Sequence, residues 1–552
     1  MDQCRRSQRH SEPSFSAMKC AALVLVLSVS FTLVEATTGK SRALPAANLP
    51  EDCNTIERCC MPRPYTGKPG IRSFEFPKDQ PTRIRKPAQH LDKAYVKKLE
   101  KAYKILRELP DSDPRSLKNQ MNLHCLYCDN GLYFPGHKYP LEVHNGWFFL
   151  PWHRMFIYWH ERILAKILDD ETFALPYWNW DNQSPEPPFG NTIPEIYANP
   201  KSPLYDVNRN NCSVPPFVVD MDTRTGCTNK TSDFLRVQNT RLTYSQIVLG
   251  GGTPSLFYGL PYRKGDFGGA GSGVFEDQPH GTIHAWVGSV DPLPGRRPGD
   301  DMGNFGRSAF DPVFYAHHTN TDRLWELWLT KIPGGQRTHP TDPDFLNSEF
   351  TFYDEDANLV KMKVSQVLDS RKLRYKYAEM PTPWITNGLE AGKEHTVPHC
   401  NPLTKSQVKS LIEDTRVSKG NETLFVTPIT FRLKRPKRRS EGTEVLEISG
   451  LFIPNITDQV HVKAYVFFPQ AVITDGPVCP EFLGTFNFIP HIGQALYNPG
   501  RVWRAAVGPK LKALGLDYVN HVVFTIVQTG KPQMLSFQKA RIIYDLSPEV
   551  TM

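Results

Sequence analysis

No apolar run in the 552-residue chain reads as a confident membrane span; CAALVLVLSVSFTLV, near the N-terminus, is too short for one. Net charge is also small. An excess of +8, from 65 basic and 57 acidic side chains, does not at this length imply a nucleic-acid partner. The glycine-rich GGAGSG lacks the strand and phosphate-binding context of a nucleotide site, so no nucleotide cofactor is expected. The remaining composition, 39% hydrophobic and 22% charged, is that of an ordinary globular protein, and the length suits two or three domains. Proline is abundant at 48 residues, which favours long ordered loops over a helix-only fold.

Histidine carries the chemistry. LHCLYC and VHNGWFFLPWHR contain His124, His144 and His153; PHGTIH and FYAHHTNTDR contain His280, His284 and one of His317 or His318. No ligating carboxylate stands obviously alongside. Three imidazoles per cluster suit a borderline metal with an affinity for nitrogen. Two such clusters in one core suggest a metal pair of the oxygen-handling copper type. His280 and His284 are four residues apart, so on a helix they share a face. His153 opens the helical run HRMFIYWHERILAKIL, and His318 sits in AHHTNTDRLWELWLTK. Ligands projecting from facing helices are how bundles build dinuclear sites.

At these residues the chain resembles the plant polyphenol oxidases, the type-3 copper family of catechol oxidases, tyrosinases and aurone synthase. HCLYC, VHNGWFFLPWHR, PHGTIH and DPVFYAHHTNTDR match its two copper signatures, and the resemblance spans roughly residues 50 to 545. It implies two copper ions, copper A on His124, His144 and His153, copper B on His280, His284 and His318, with His317 a neighbour. It implies a thioether between Cys128 and His144, a water-orienting Glu276, an aromatic gate at Phe305, and an outer polar pair at Asp322 and Arg323. It also suggests the disulfides Cys53–Cys60 and Cys59–Cys125. The pairs Cys212–Cys227 and Cys400–Cys479 follow only from arithmetic on the remaining cysteines.

The implied activity is oxidation of o-diphenols to o-quinones with reduction of O2 to water. In relatives with strong monophenolase activity, the residue after the first copper B histidine is often Asn. Here it is Gly281, and the residue after the next histidine is Ala285, so diphenol oxidation is expected well above monophenol hydroxylation. The alternatives are a tyrosinase, a specialised aurone- or lignan-forming oxidase, and a hemocyanin-like oxygen carrier. The expected partners are small phenols, O2 and an activating protease, with no nucleic acid and no stable membrane span.

The expected fold is a mainly α catalytic domain, with a four-helix bundle holding the dicopper site, followed by a β-sandwich. Residues 1–36 read as a secretory-type signal, with basic residues, an apolar run and small residues at VEA. Residues 37–378 form the catalytic domain, closing near Tyr375 and Tyr377 in a motif that resembles the family's. A linker follows at 379–422. Alternating apolar runs such as VLEISGLFI and HVVFTIVQ then place the sandwich at 423–552. The resemblance gives that domain a shielding role, although VKAYV stands where relatives usually have KFDV, and no plug residue can be named. The basic stretch from Arg432 to Arg439 is expected to be a solvated or protease-sensitive loop. Five N-x-S/T sequons and the signal favour the secretory pathway (vacuole or extracellular), with the thylakoid lumen as the alternative.

Overall fold

The computed structural model describes residues 41–53, 59–63, 70–134, 138–222, 227–267, 269, 271–290, 293–335, 337–388, 400, 402–424, 427–456, 458–489, 500–529 and 534–546. The targeting segment at 1–36 lies outside them. Among the described residues no helix is long and apolar enough to cross a membrane.

Five helices frame the first domain. Asp92 caps α1 (Lys93–Glu108) by accepting the Tyr95 N–H, and Ser116 caps α2 (Leu117–Cys128) by accepting that of Asn119. Helix α3 (Phe149–Leu168) is buried on every side from Phe149 to Ala165, which marks it as the central element. It starts four residues before His153, because Pro151 is tolerated in a first turn whose N–H groups have no intrahelical acceptor. Helices α4 (Gly281–Val287) and α5 (Val313–Thr330) complete the set. Strands β1 (Glu349–Tyr353) and β2 (Leu359–Lys363) then pair antiparallel, as the alternation in SEFTFY and NLVKMK predicts.

Buried ion pairs tie these helices together. Glu161 of α3 receives Arg83 Nε at 2.7 Å and Arg85 Nε at 2.8 Å. Asp322 of α5 accepts from Arg154 of α3, from Arg85 at 3.2 Å, from Tyr375 at 2.8 Å and from Tyr377. The two tyrosines therefore close the catalytic domain by clamping one carboxylate. Burial pushes the Asp322 carboxyl up, but Arg154 and Arg85 outweigh it and hold it below its ordinary value.

The second domain contains two sheets that share a core. One runs β6 (Phe482–Phe488), β5 (Val460–Val466), β8 (His521–Thr529), β3 (Ile429–Lys434); the other runs β7 (Arg501–Ala506), β4 (Thr443–Leu451), β9 (Lys539–Asp545). Arg432 and Lys434 lie in β3 and Arg435 pairs with Glu444 at 2.6 Å, so only the remainder of the basic stretch, Lys437 to Arg439, is an exposed loop. The described parts of 379–422 are more ordered than a plain linker. They hold a buried Trp384, the Cys400–Cys479 disulfide, and helix α6 (Lys405–Asp414) with a Thr404/Gln407 capping box.

Replacing Asp322 by Asn should cost about 3–5 kcal/mol, because the buried Arg154 then loses its main counter-charge and Arg85 is left with Glu161 alone. A depressed carboxyl stabilises the fold above its unfolded value of about 4, and that stabilisation is lost as pH falls through the folded value. Urea titrations at several pH values check both points. The gap between wild type and Asp322→Asn should be widest near pH 7 and shrink below about pH 4.

Candidate metal centre

Six imidazoles converge between the helices, joined by one thiol and a seventh ring. His124 and Cys128 stand one turn apart on α2, His144 precedes α3, and His153 lies near the start of α3. His280 ends the short irregular turn Glu276–His280, His284 follows on α4, and His317 and His318 sit together on α5. Their ligating atoms form two sets, each with all members within 4.8 Å of one another: His124, Cys128, His144 and His153, and His280, His284, His317 and His318. The sets face each other, with the His153 and His318 rings stacked at 4.2 Å and 8°.

The proton on four of these rings is fixed by backbone carbonyls. Nδ1 of His124 donates to Phe305 O at 2.8 Å and Nδ1 of His153 to Phe149 O at 2.8 Å. Nδ1 of His280 donates to Glu276 O at 3.1 Å and Nδ1 of His284 to Met302 O at 2.7 Å. A carbonyl only accepts, so each Nδ1 carries the hydrogen and each Nε2 keeps its lone pair. Two of these lone pairs face each other: His124 Nε2 lies 3.4 Å from His153 Nε2, while His284 Nε2 lies 3.1 Å from Nε2 of His318, a ring that no carbonyl fixes. Lone pairs that close repel unless a cation lies between them. Burial holds His124 down to about 3 and His284 down to about 4, and pushes His153, His280, His317 and His318 well below the ordinary range. The rings are neutral at neutral pH, the form that binds metal. A nitrogen-rich donor set without carboxylates fits copper.

The other expected residues fall around these sets. Cys128 is a buried free thiol, and burial raises its pKa well above the ordinary value, so it does not join the set as a thiolate. The Phe305 ring stacks on His144 at 4.0 Å and 15°. Glu276 accepts the Asn145 N–H at 2.7 Å through Oε1, while Oε2 has no hydrogen-bond partner among the described residues. Gly281 opens α4, whereas Ala285 is buried on that helix and stands apart from the cavity lining. Asp322 and Arg323 each make a separate buried ion pair: Asp322 takes Arg154 and Arg85, and Arg323 pairs with Asp181 at 3.0 Å. All four disulfide pairings, Cys53–Cys60, Cys59–Cys125, Cys212–Cys227 and Cys400–Cys479, are present.

Five residues, Glu142, Asn145, Asp277, Asn487 and Ile489, were not foreseen. Glu142 is buried with Oε1 3.3 Å from His144 Nδ1. Asn145, Asn487 and Ile489 join Glu276, Asp277, His280, Gly281 and Phe305 around a cavity of water size. Asn487 and Ile489 come from the second domain. The one hint in the sequence is a polar Asn487 within TFNFIP, in a strand that is buried throughout.

Residues 114–331 match the common central domain of tyrosinase, 339–388 the polyphenol oxidase middle domain, and 419–544 the chloroplastic polyphenol oxidase C-terminal domain. A polyphenol oxidase of Vitis vinifera, named chloroplastic, is 38% identical over 86% of this chain and 76% of its own length. Aureusidin synthase of Antirrhinum majus is 38% identical over 88% of this chain and 85% of its own. The chain belongs to the plant polyphenol oxidase family. Among solved structures, latent apple tyrosinase is similar at TM-score 0.75 and 34% identity, covering 86% of this chain and all (100%) of that one. A latent aurone synthase is similar at TM-score 0.78 and 28% identity, covering 92% of this chain and 100% of that one. The polyphenol oxidase fold here is a helical copper domain followed by a domain with sheets. The protein is a copper-dependent oxidoreductase with a dinuclear type-3 centre, in a family whose activity is catechol oxidation.

Substituting each member of the adjacent histidine pair tests which one holds metal. His318→Ala should lose copper and at least about a hundredfold in activity, the cost of removing a buried ligand. His317→Ala should retain two coppers by metal analysis.

Proposed function

We propose that this chain is a latent catechol oxidase that converts o-diphenols to o-quinones while reducing O2 to water, with monophenol hydroxylation weak or absent. Copper A takes His124, His144 and His153, and copper B takes His280, His284 and His318. The observation that carries this reading is the pair of His124 and His153 Nε2 atoms left facing one another by carbonyl-bound Nδ1 groups, with the second histidine set gathered opposite. Bound copper supplies the route for two electrons from the catechol to dioxygen. Cys128, grouped with His144, forms the thioether that fixes that ring. The four helices bearing histidines, α2 to α5, act as a bundle, and the two sheets with a common core form a β-sandwich.

The chain's own side chains position the substrate and its protons. Phe305, stacked on His144, gives the entering ring an aromatic wall. Glu276 is anchored at one oxygen by Asn145 and offers the other to the cavity. Burial, with Asp277 and Glu142 alongside, raises its carboxyl well above the usual range. With the cavity open to solvent it is the group placed to exchange a proton with an entering catechol. A monophenol, with a pKa of about 10, demands a better-placed base. Gly281 adds no side chain to hold a water for that purpose.

Latency follows from Asn487. A Cβ on Gly281 would lie 2.4 Å from Asn487 Nδ2, so the missing side chain is the seat into which the C-terminal domain inserts. Lys463, in the VKAYV segment, supports the docking through Asp222 at 2.8 Å. Cleavage within 379–440 by an activating protease releases the domain. The relatives named chloroplastic favour the thylakoid lumen over the secretory expectation.

Oxygen uptake with 4-methylcatechol by the copper-loaded chain should rise sharply after limited proteolysis, and catechol should be consumed faster than tyramine. Without cleavage, Asn487→Ala should raise activity about fivefold, the equivalent of losing ~1 kcal/mol of seating contact. Faster tyramine turnover, or an uncleaved variant as latent as wild type, would contradict the reading.

A further inference from the structure

Three carboxyl groups, Asp277, Glu276 and Glu142, gather on the catalytic side of the cavity, and one basic group of the C-terminal domain acts on all three. Asp277 lines the cavity beside Glu276, three residues before His280, and its Oδ1 accepts the Ser272 hydroxyl at 2.7 Å. Glu142 is buried close by and adds its charge to that of Glu276. The basic group facing all three acids is Arg501 at the start of β7, itself buried and lying over the Phe488 ring at 4.7 Å. Asp277 also receives a backbone hydrogen bond from Asn487. The Asn487 backbone contact and the electrostatic influence of Arg501 thus leave with the C-terminal domain, and the Ser272 hydroxyl stays.

We propose that Asp277 is a specificity-determining residue that, once the domain is displaced, binds the ammonium group of catechols carrying a short aminoalkyl chain. The protonated amine takes the place vacated by the Arg501 guanidinium. The dihydroxy ring lies against Phe305 and His280, and the chain crosses the open floor at Gly281. Burial is the chief influence raising the Asp277 carboxyl, to about 8 in the closed form, so exposure returns it toward the ordinary range and the charged state at neutral pH. Phenols ending in a carboxylate meet repulsion at the same place. This inference rests on the catechol-oxidase reading and deepens it by naming a substrate class.

The test compares kcat/KM for dopamine, 4-methylcatechol and 3,4-dihydroxyphenylacetate, using the copper-loaded full chain opened by limited proteolysis. The three share the ring that faces the metals, so their ratios isolate the tail. Dopamine should be preferred over the acid by about tenfold or more, with the preference shrinking as salt rises. Asp277→Asn should bring the dopamine-to-acid ratio close to one, and Asp277→Glu should restore much of the preference. Good turnover of 4-methylcatechol with no charge preference, or an unchanged ratio in Asp277→Asn, overturns the proposal alone. No oxidation of any of the three overturns the catechol-oxidase reading and takes the proposal with it.

Discussion

Seven imidazoles buried in one protein interior impose the constraint on which the rest of the structure depends. Buried and without charge, each ring must place a hydrogen on one nitrogen and find a use for the lone pair on the other. Four rings solve the first half with carbonyls of Phe149, Glu276, Met302 and Phe305. Those carbonyls lie on a helix start, an irregular turn and a loop. The local backbone, more than any side chain, therefore sets the direction of the metal-facing nitrogens. The irregularity of Glu276–His280 is part of this arrangement, since it supplies both a carbonyl for His280 and a carboxylate for the cavity.

Holding such a centre demands stiff surroundings, and the buried ion network provides them. Arg85 bridges Glu161 on α3 to Asp322 on α5, and Asp322 also binds Arg154 on α3. The two helices that carry His153 and His318 are thereby fixed one against the other. Tyr375 and Tyr377 extend the same lock to the end of the catalytic domain. The covering domain uses a different principle. It sets Asn487 beside Gly281 and the buried Arg501 within the influence of Glu142, Glu276 and Asp277.

Much of this was legible in the sequence, because ligation restricts residue type and spacing severely. His124, His144, His153, His280, His284 and one of His317 or His318 were readable as two converging sets, and the alternation in SEFTFY and HVVFTIVQ was readable as strands. Backbone acceptors leave no such trace, so the carbonyls that fix the rings could not be named from the sequence. The partners of Asp322 and Arg323, Arg154 and Asp181, are distant in the chain and carry no local signal. Asn487 was hidden for the same reason, its partner Gly281 being far away in sequence. The order in 379–422 was masked by proline and glycine around a capping box, Thr404 to Gln407, that was present in the letters.

The central claim is that two histidine triads hold a copper pair. Anomalous diffraction at the copper edge, from crystals of the copper-loaded chain, tests it most directly. The account predicts two peaks, one among His124, His144 and His153 and the other among His280, His284 and His318. A single peak, or copper bound away from these rings, would contradict it.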